Sequence, residues 1–138
     1  MTLIAGNGAE EAAIRDVYAQ YLSAFHTQRA ELVAPFYAPP CLFISDEVVL
    51  SFSSEDEVRN LFETIISGLQ ARDYDHSDVR ELTVEMLSDR LAEVSGIAVR
   101  FDSSGSELER TGAKYTLRKS GGGWKFVAAV VHTAASAA

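Results

Sequence analysis

Three histidines, one arginine and one cysteine hold most of the reactive chemistry that the sequence pattern could focus. His132 alternates with Phe126, Ala128 and Val130. On a strand, that spacing sets a neutral imidazole among apolar neighbours as a general base or polar anchor, or else at an interface. Arg100 alternates with Val94, Gly96 and Ala98. A guanidinium there either snorkels to solvent or pairs with a carboxylate, and a buried pair would mark a functional site. His26 falls at the end of a helical pattern, where a cation suits the helix dipole. His76 lies beside Asp73 and Asp75, but three loop residues so close in sequence make poor ligand geometry, so no metal site is expected. Cys41 is the single cysteine, which excludes an intrachain disulfide and a thiolate metal cluster.

Several chemistries have no foothold. There is no Gly-x-Ser-x-Gly elbow, no His-Glu-x-x-His and no dinucleotide fingerprint, so no cofactor is expected. Gly121, Gly122 and Gly123 join strand to strand, whereas a phosphate loop joins strand to helix. The formal net charge is −8 and the 12 Lys and Arg form no basic run, so nucleic acid is not an expected partner. No apolar run approaches the roughly 20 residues that span a bilayer, and Met1 to Glu11 lacks a secretory pattern. The expected location is cytoplasmic.

The elements that must position these residues follow from hydrophobic period. Over 138 residues, 47% hydrophobic and 23% charged is a globular balance for one domain. Residues 1–8 read as a loose arm, with Asn7 or Gly8 starting a helix. Ile14, Val17, Tyr18, Tyr21, Leu22 and Phe25 then mark one helical face. A short helix spans Ala30 to Phe36, stopped by Pro39 and Pro40. Cys41 to Ser45 and Glu47 to Ser53 read as two short strands. Ser54 and Glu57 form a capping box ahead of the stripe Val58, Leu61, Phe62, Ile65, Ile66 and Leu69. Residues 72–76 read as a loop. From Ser77 the period is two, with turns at residues 88–89, 102–105 and 120–123 dividing four strands, and a frayed tail over 134–138.

Helices first and long strands last indicate an α+β fold, with helices across one face of a curved antiparallel sheet. The last strand is apolar on both sides: Phe126, Ala128 and Val130 on one, Val127, Ala129 and Val131 on the other. No helix remains to cover the second side, so a second copy of the chain is expected there as a homodimer partner. A helix laid over a curled sheet also leaves a conical space. Tyr18, Tyr21, Phe25, Phe36, Tyr37, Phe43, Phe52, Phe62 and Tyr115 are available to line it or to fill it.

The order of elements resembles the nuclear transport factor 2-like superfamily, in its SnoaL-like and ketosteroid isomerase-like branch. The resemblance rests on Tyr21-Leu22-Ser23-Ala24-Phe25, on Leu32 to Tyr37, on Val58 to Leu69, and on the closing hairpin from Lys114 to His132. It covers about Glu10 to Thr133 and implies a cone-shaped α+β fold with three helices on one face, a pocket, and a homodimer. Fold alone does not fix activity in such a group. The resemblance places Tyr21 where the isomerases hold an oxyanion donor. Their aspartate base falls at Ser45, one residue from Asp46, and their acidic donor at Ala113 or Lys114. One residue along a strand reverses the face, so that mechanism is not expected. The expectation is a pocket for a small, largely apolar molecule, either with acid–base chemistry of isomerase, cyclase or dehydratase type, or in a non-catalytic module. Tyr21 and His132 are the candidate catalytic residues. Phe25, Tyr37, Phe52, Phe62, Ile66, Arg100 and Tyr115 are the candidate ligand contacts.

Overall fold

The protein was analysed as a computed structural model that describes residues 3–134. Helix α1 runs Leu3–His26, α2 Ala30–Val33 with a 3-10 turn Ala34–Phe36, and α3 Glu55–Gln70. The strands are β1 Tyr37–Ile44, β2 Val49–Phe52, β3 Tyr74–Met86, β4 Leu91–Asp102, β5 Glu107–Ser120 and β6 Gly123–Thr133. They form one curved six-stranded sheet in the order β2-β1-β6-β5-β4-β3. Every neighbour pair is antiparallel except β1 with β6, the junction where the start and end of the chain meet. No helix among the described residues is long and apolar enough to cross a membrane.

Amphipathic spacing explains the roof. Ile14, Tyr18, Tyr21 and Phe25 on α1, and Val58, Phe62, Ile66 and Leu69 on α3, are all buried at three-and-four intervals. They pack on the inner sheet residues Val94, Ala113, Tyr115, Leu117, Phe126 and Ala129. The Ser54 hydroxyl caps α3 by accepting the Glu57 N–H at 3.3 Å. The Glu57 carboxylate reaches back to the Ser53 N–H, one residue before the cap, at 2.6 Å.

Several expectations are corrected. The arm read as loose is helical from Leu3, and Asn7 lies inside α1 rather than capping it; extending a formed helix costs far less than starting one. The tail expected to fray lies, beyond Ala134, outside the described residues. Pro39 and Pro40 do not merely stop a helix; they sit within β1, whose ladder to β6 breaks between Tyr37 and Leu42 because proline has no N–H to give. The loop expected over 72–76 ends sooner, with β3 starting at Tyr74. The largest correction concerns β6. A bulge at Val127 pairs Leu117 with Phe126 but Thr116 with Ala128. Phe126 therefore shares the inner face with Ala129 and Val131, while Ala128, Val130 and His132 face outward.

Candidate functional site

Beneath the helices lies a cavity of about 280 Å3. One face of α1 brings Tyr18, Tyr21, Leu22 and Phe25 to it, because residues three and four apart stack on a helix. Tyr37 and Phe43 of β1, Phe62 and Ile65 of α3, and Tyr115 of β5 close the apolar walls. Ser45, Asp46 and Glu47, in the turn after β1, stand at its mouth.

Tyr21 is the centre of the aromatic packing. Its ring meets Phe126 edge-on at 4.7 Å between centroids and Tyr115 at 5.8 Å. Its hydroxyl shares a hydrogen bond with the Tyr37 hydroxyl at 3.1 Å. Burial pushes the phenols of Tyr21, Tyr37 and Tyr115 well above the usual tyrosine range, and that of Tyr18 up to about 12. At neutral pH all four are uncharged donors. A hydroxyl pair consumes one O–H in its own bond, so the other stays available to a carbonyl or hydroxyl oxygen in the cavity.

The polar end is built around Arg100. Its side chain is 17% exposed, and its Nη1 lies 3.4 Å from Glu109 Oε2. Its guanidinium carbon sits 5.5 Å over the Phe25 ring. Glu109 is held more tightly by Arg72, whose Nη1 donates to Oε1 at 2.6 Å. The Arg100 Nε–H is buried, and among the described residues nothing accepts from it. Leaving such a donor unpaired costs about 1–3 kcal/mol. Of the two fates the sequence left open for Arg100, the paired one is observed.

Glu109 escaped the sequence reading. A regular hairpin after the 102–105 turn would set Arg100 opposite Leu108, but the register shifts between Arg100 and Phe101 and brings Glu109 opposite instead. The one available signal was the alternation of Glu109 with Thr111, Ala113 and Tyr115, all on the inner side of β5.

Tyr21, Phe25, Tyr37, Phe62, Arg100 and Tyr115 thus meet around one cavity. Phe52 does not join them; it lies opposite Cys41 on the edge strand β2. Ile66 is buried on the side of α3 that borders a groove beside α2. His132 reaches only the rim. Its cross-strand partner is Gly112, and a Cβ added there would fall 2.3 Å from His132 Cε1, so the imidazole covers Gly112 on the outer face. Tyr21 and His132 are not brought together. His26 is the last residue of α1 and accepts the Ser77 N–H through Nε2 at 3.1 Å, which ties α1 to β3. His76 contacts Asp75 at 2.8 Å and stacks on Phe101, and among the described residues no group of three or more His, Cys, Asp or Glu could hold a metal. Of the positions carried by the resemblance, Ser45 and Asp46 are at the mouth. Ala113 is buried, and Lys114 pairs with Glu93 at 3.2 Å, so no acidic donor stands at either.

Comparison with known proteins agrees with this architecture. The chain is similar to a domain of unknown function with a cystatin-like fold from Nostoc punctiforme, at 16% identity and a TM-score of 0.77, covering 93% of this chain and 79% of that one. It is similar to a ketosteroid isomerase-like protein from Erwinia carotovora, at 16% identity and a TM-score of 0.66, covering 91% and 96%. Among curated proteins, 76 residues are 36% identical to part of the non-reducing polyketide synthase terA of Aspergillus terreus; the match takes in 54% of this chain and 4% of that protein's length. The family described as NTF2-like protein (DUF6841) matches residues 9–134. With nearly all of the six-stranded sheet and its helical roof inside that match, the chain belongs to the NTF2-like family DUF6841.

Proposed function

We propose that the chain binds a small, largely apolar molecule in the cavity under α1 and holds its polar atom through tyrosine hydroxyls. The observation that carries this reading is an interior space of about 280 Å3 with ring faces for walls and the Tyr21–Tyr37 hydroxyl pair beside it. Unfilled space forfeits dispersion contacts that a purely structural core would make. That argues against the alternative of a non-catalytic dimerisation module whose aromatics only fill the core. The likeness to a segment of a polyketide synthase supports a polyketide-like ligand.

The same residues suit cofactor-free acid–base chemistry of the SnoaL-like kind, in isomerase, cyclase or dehydratase form. Neutral phenols can stabilise an oxyanion as it develops, and Asp46 is a carboxylate at the same opening. We further infer a homodimer through the outer sheet face, where Leu42, Val49 and Val130 are 39%, 68% and 37% exposed.

A thermal-shift screen of steroids, terpenoids and aromatic acids tests the pocket. Stabilisation by at least one class, weakened in Tyr21→Phe, is the expected result. No shift from any compound, with calorimetry equally silent, removes the proposal.

A further inference from the structure

We propose that Arg100 receives a carboxylate on the ligand, which makes the preferred ligand class an aromatic carboxylic acid rather than a neutral ketone or alcohol. This rests on the reading that the cavity takes a ligand at all. The cation is built into the lining: strand β4 brings Arg100 to the cavity beside Ala98, with the Phe25 ring against it. Its present partner is weakly engaged. A charge-assisted N–H to carboxylate bond normally closes to roughly 2.7–2.9 Å, whereas Arg100 Nη1 stays 3.4 Å from Glu109. Glu109 is committed to Arg72 at 2.6 Å. Two guanidiniums share one carboxylate, so the cluster carries an excess positive charge.

The orphaned Nε–H adds a second, independent sign. Arginine recognises carboxylates in pairs of parallel bonds, commonly with its planar edge. A small turn of the guanidinium toward an incoming carboxylate would give Nε an acceptor and replace the loose Nη1 contact. Orientation follows from the other charges. Asp46 and Glu47 stand at the exposed mouth after β1, with β6 and β5 between them and Arg100. They repel an anion lodged at their end. Glu109 also lines the cavity at the other end, but its charge is offset by Arg72 at 2.6 Å. The acid group is therefore steered to the Arg100 end, with the ring among Tyr21, Tyr37 and Phe62.

The test is calorimetric titration of the whole chain at neutral pH with 2-naphthoate and with the neutral ketone of the same ring, 2-acetonaphthone. Wild-type protein should bind the acid at least about tenfold more tightly than the ketone. Arg100→Gln should erase that preference, with acid affinity falling by about tenfold or more. Glu109→Gln, which frees Arg100 from its competitor, should enlarge it. If Arg100→Gln does not fold, the wild-type pair and Glu109→Gln still decide. Equal wild-type affinity for the two probes, or a preference that survives Arg100→Gln, overturns the carboxylate assignment while the pocket stands. Binding of neither probe overturns both.

Discussion

The phenolic oxygens of Tyr21 and Tyr37 stand 3.1 Å apart, joining the first helix to the first strand inside the buried core. The pair fixes two rings of the cavity wall and leaves one O–H for a guest. It also ties the cavity to the alkaline limit of the fold.

Burial raises the phenol of every tyrosine in the chain above its usual value of 10.0, with Tyr18 at about 12. A group whose proton is held more tightly in the folded state stabilises that state fully below its unfolded value, and the stability is lost as pH rises past it. Stability should therefore be level through neutral pH and decline above about pH 10. Absorbance titration should show tyrosinate appearing together with loss of circular dichroism. Gradual ionisation near pH 10 in a fully folded protein would contradict the buried network.

Tyr21→Phe and Tyr37→Phe each leave the other hydroxyl buried without its partner. Each change should cost about 1–3 kcal/mol in chemical denaturation. The double variant should cost less than the two losses added, since no orphaned hydroxyl remains. Strict additivity would show that the two oxygens do not share a bond.

His132 was singled out by sequence, and its placement yields an opposite expectation. The ring covers Gly112 on the outer face, away from Tyr21. His132→Ala should leave ligand affinity within about twofold, as expected for an exposed rim side chain that turns away from the cavity floor. A larger loss in calorimetry would mean that the ring swings over the rim to the guest.

The contrast between His132 and Arg100 shows how far the sequence could be read. Element order, both long amphipathic helices and three strand turns followed from hydrophobic period, because burial on one face imposes that period directly. Tyr21, Phe25 and Phe62 were legible for the same reason: helical spacing fixes which residues share a face. Strand residues depend on register, and register here is interrupted near Asp75, Glu81, Leu108 and Val127. Each extra residue inverts the face of everything beyond it. Glu81 marks one such point with a φ of 56°, a conformation that no apolar pattern announces. The bulge at Val127 turned His132 outward, and the one at Leu108 turned Glu109 toward Arg100. Phe52 and Ile66 fall outside the cavity lining for a different reason: both are apolar and inward, but inward is a larger region than the cavity.

The bulge at Val127 also decides what the outer sheet face offers a second copy of the chain. Ile44 lies beside Val130 in parallel register and opposite Val49, while Leu42 lies beside Ala128. These five form a continuous apolar area on the side away from the helices, where an antiparallel sheet facing water normally carries polar residues. A two-fold contact of this area with itself would bury it without any new element. Light scattering at micromolar concentration should give twice the 15.0 kDa chain mass. Ile44→Glu places a charge in the middle of the area, between Val49 and Val130, and should yield folded monomers with unchanged circular dichroism. A monomeric wild-type mass would remove the dimer; a dimeric Ile44→Glu would move the contact elsewhere, since a carboxylate forced into that apolar seam without a partner costs several kcal/mol.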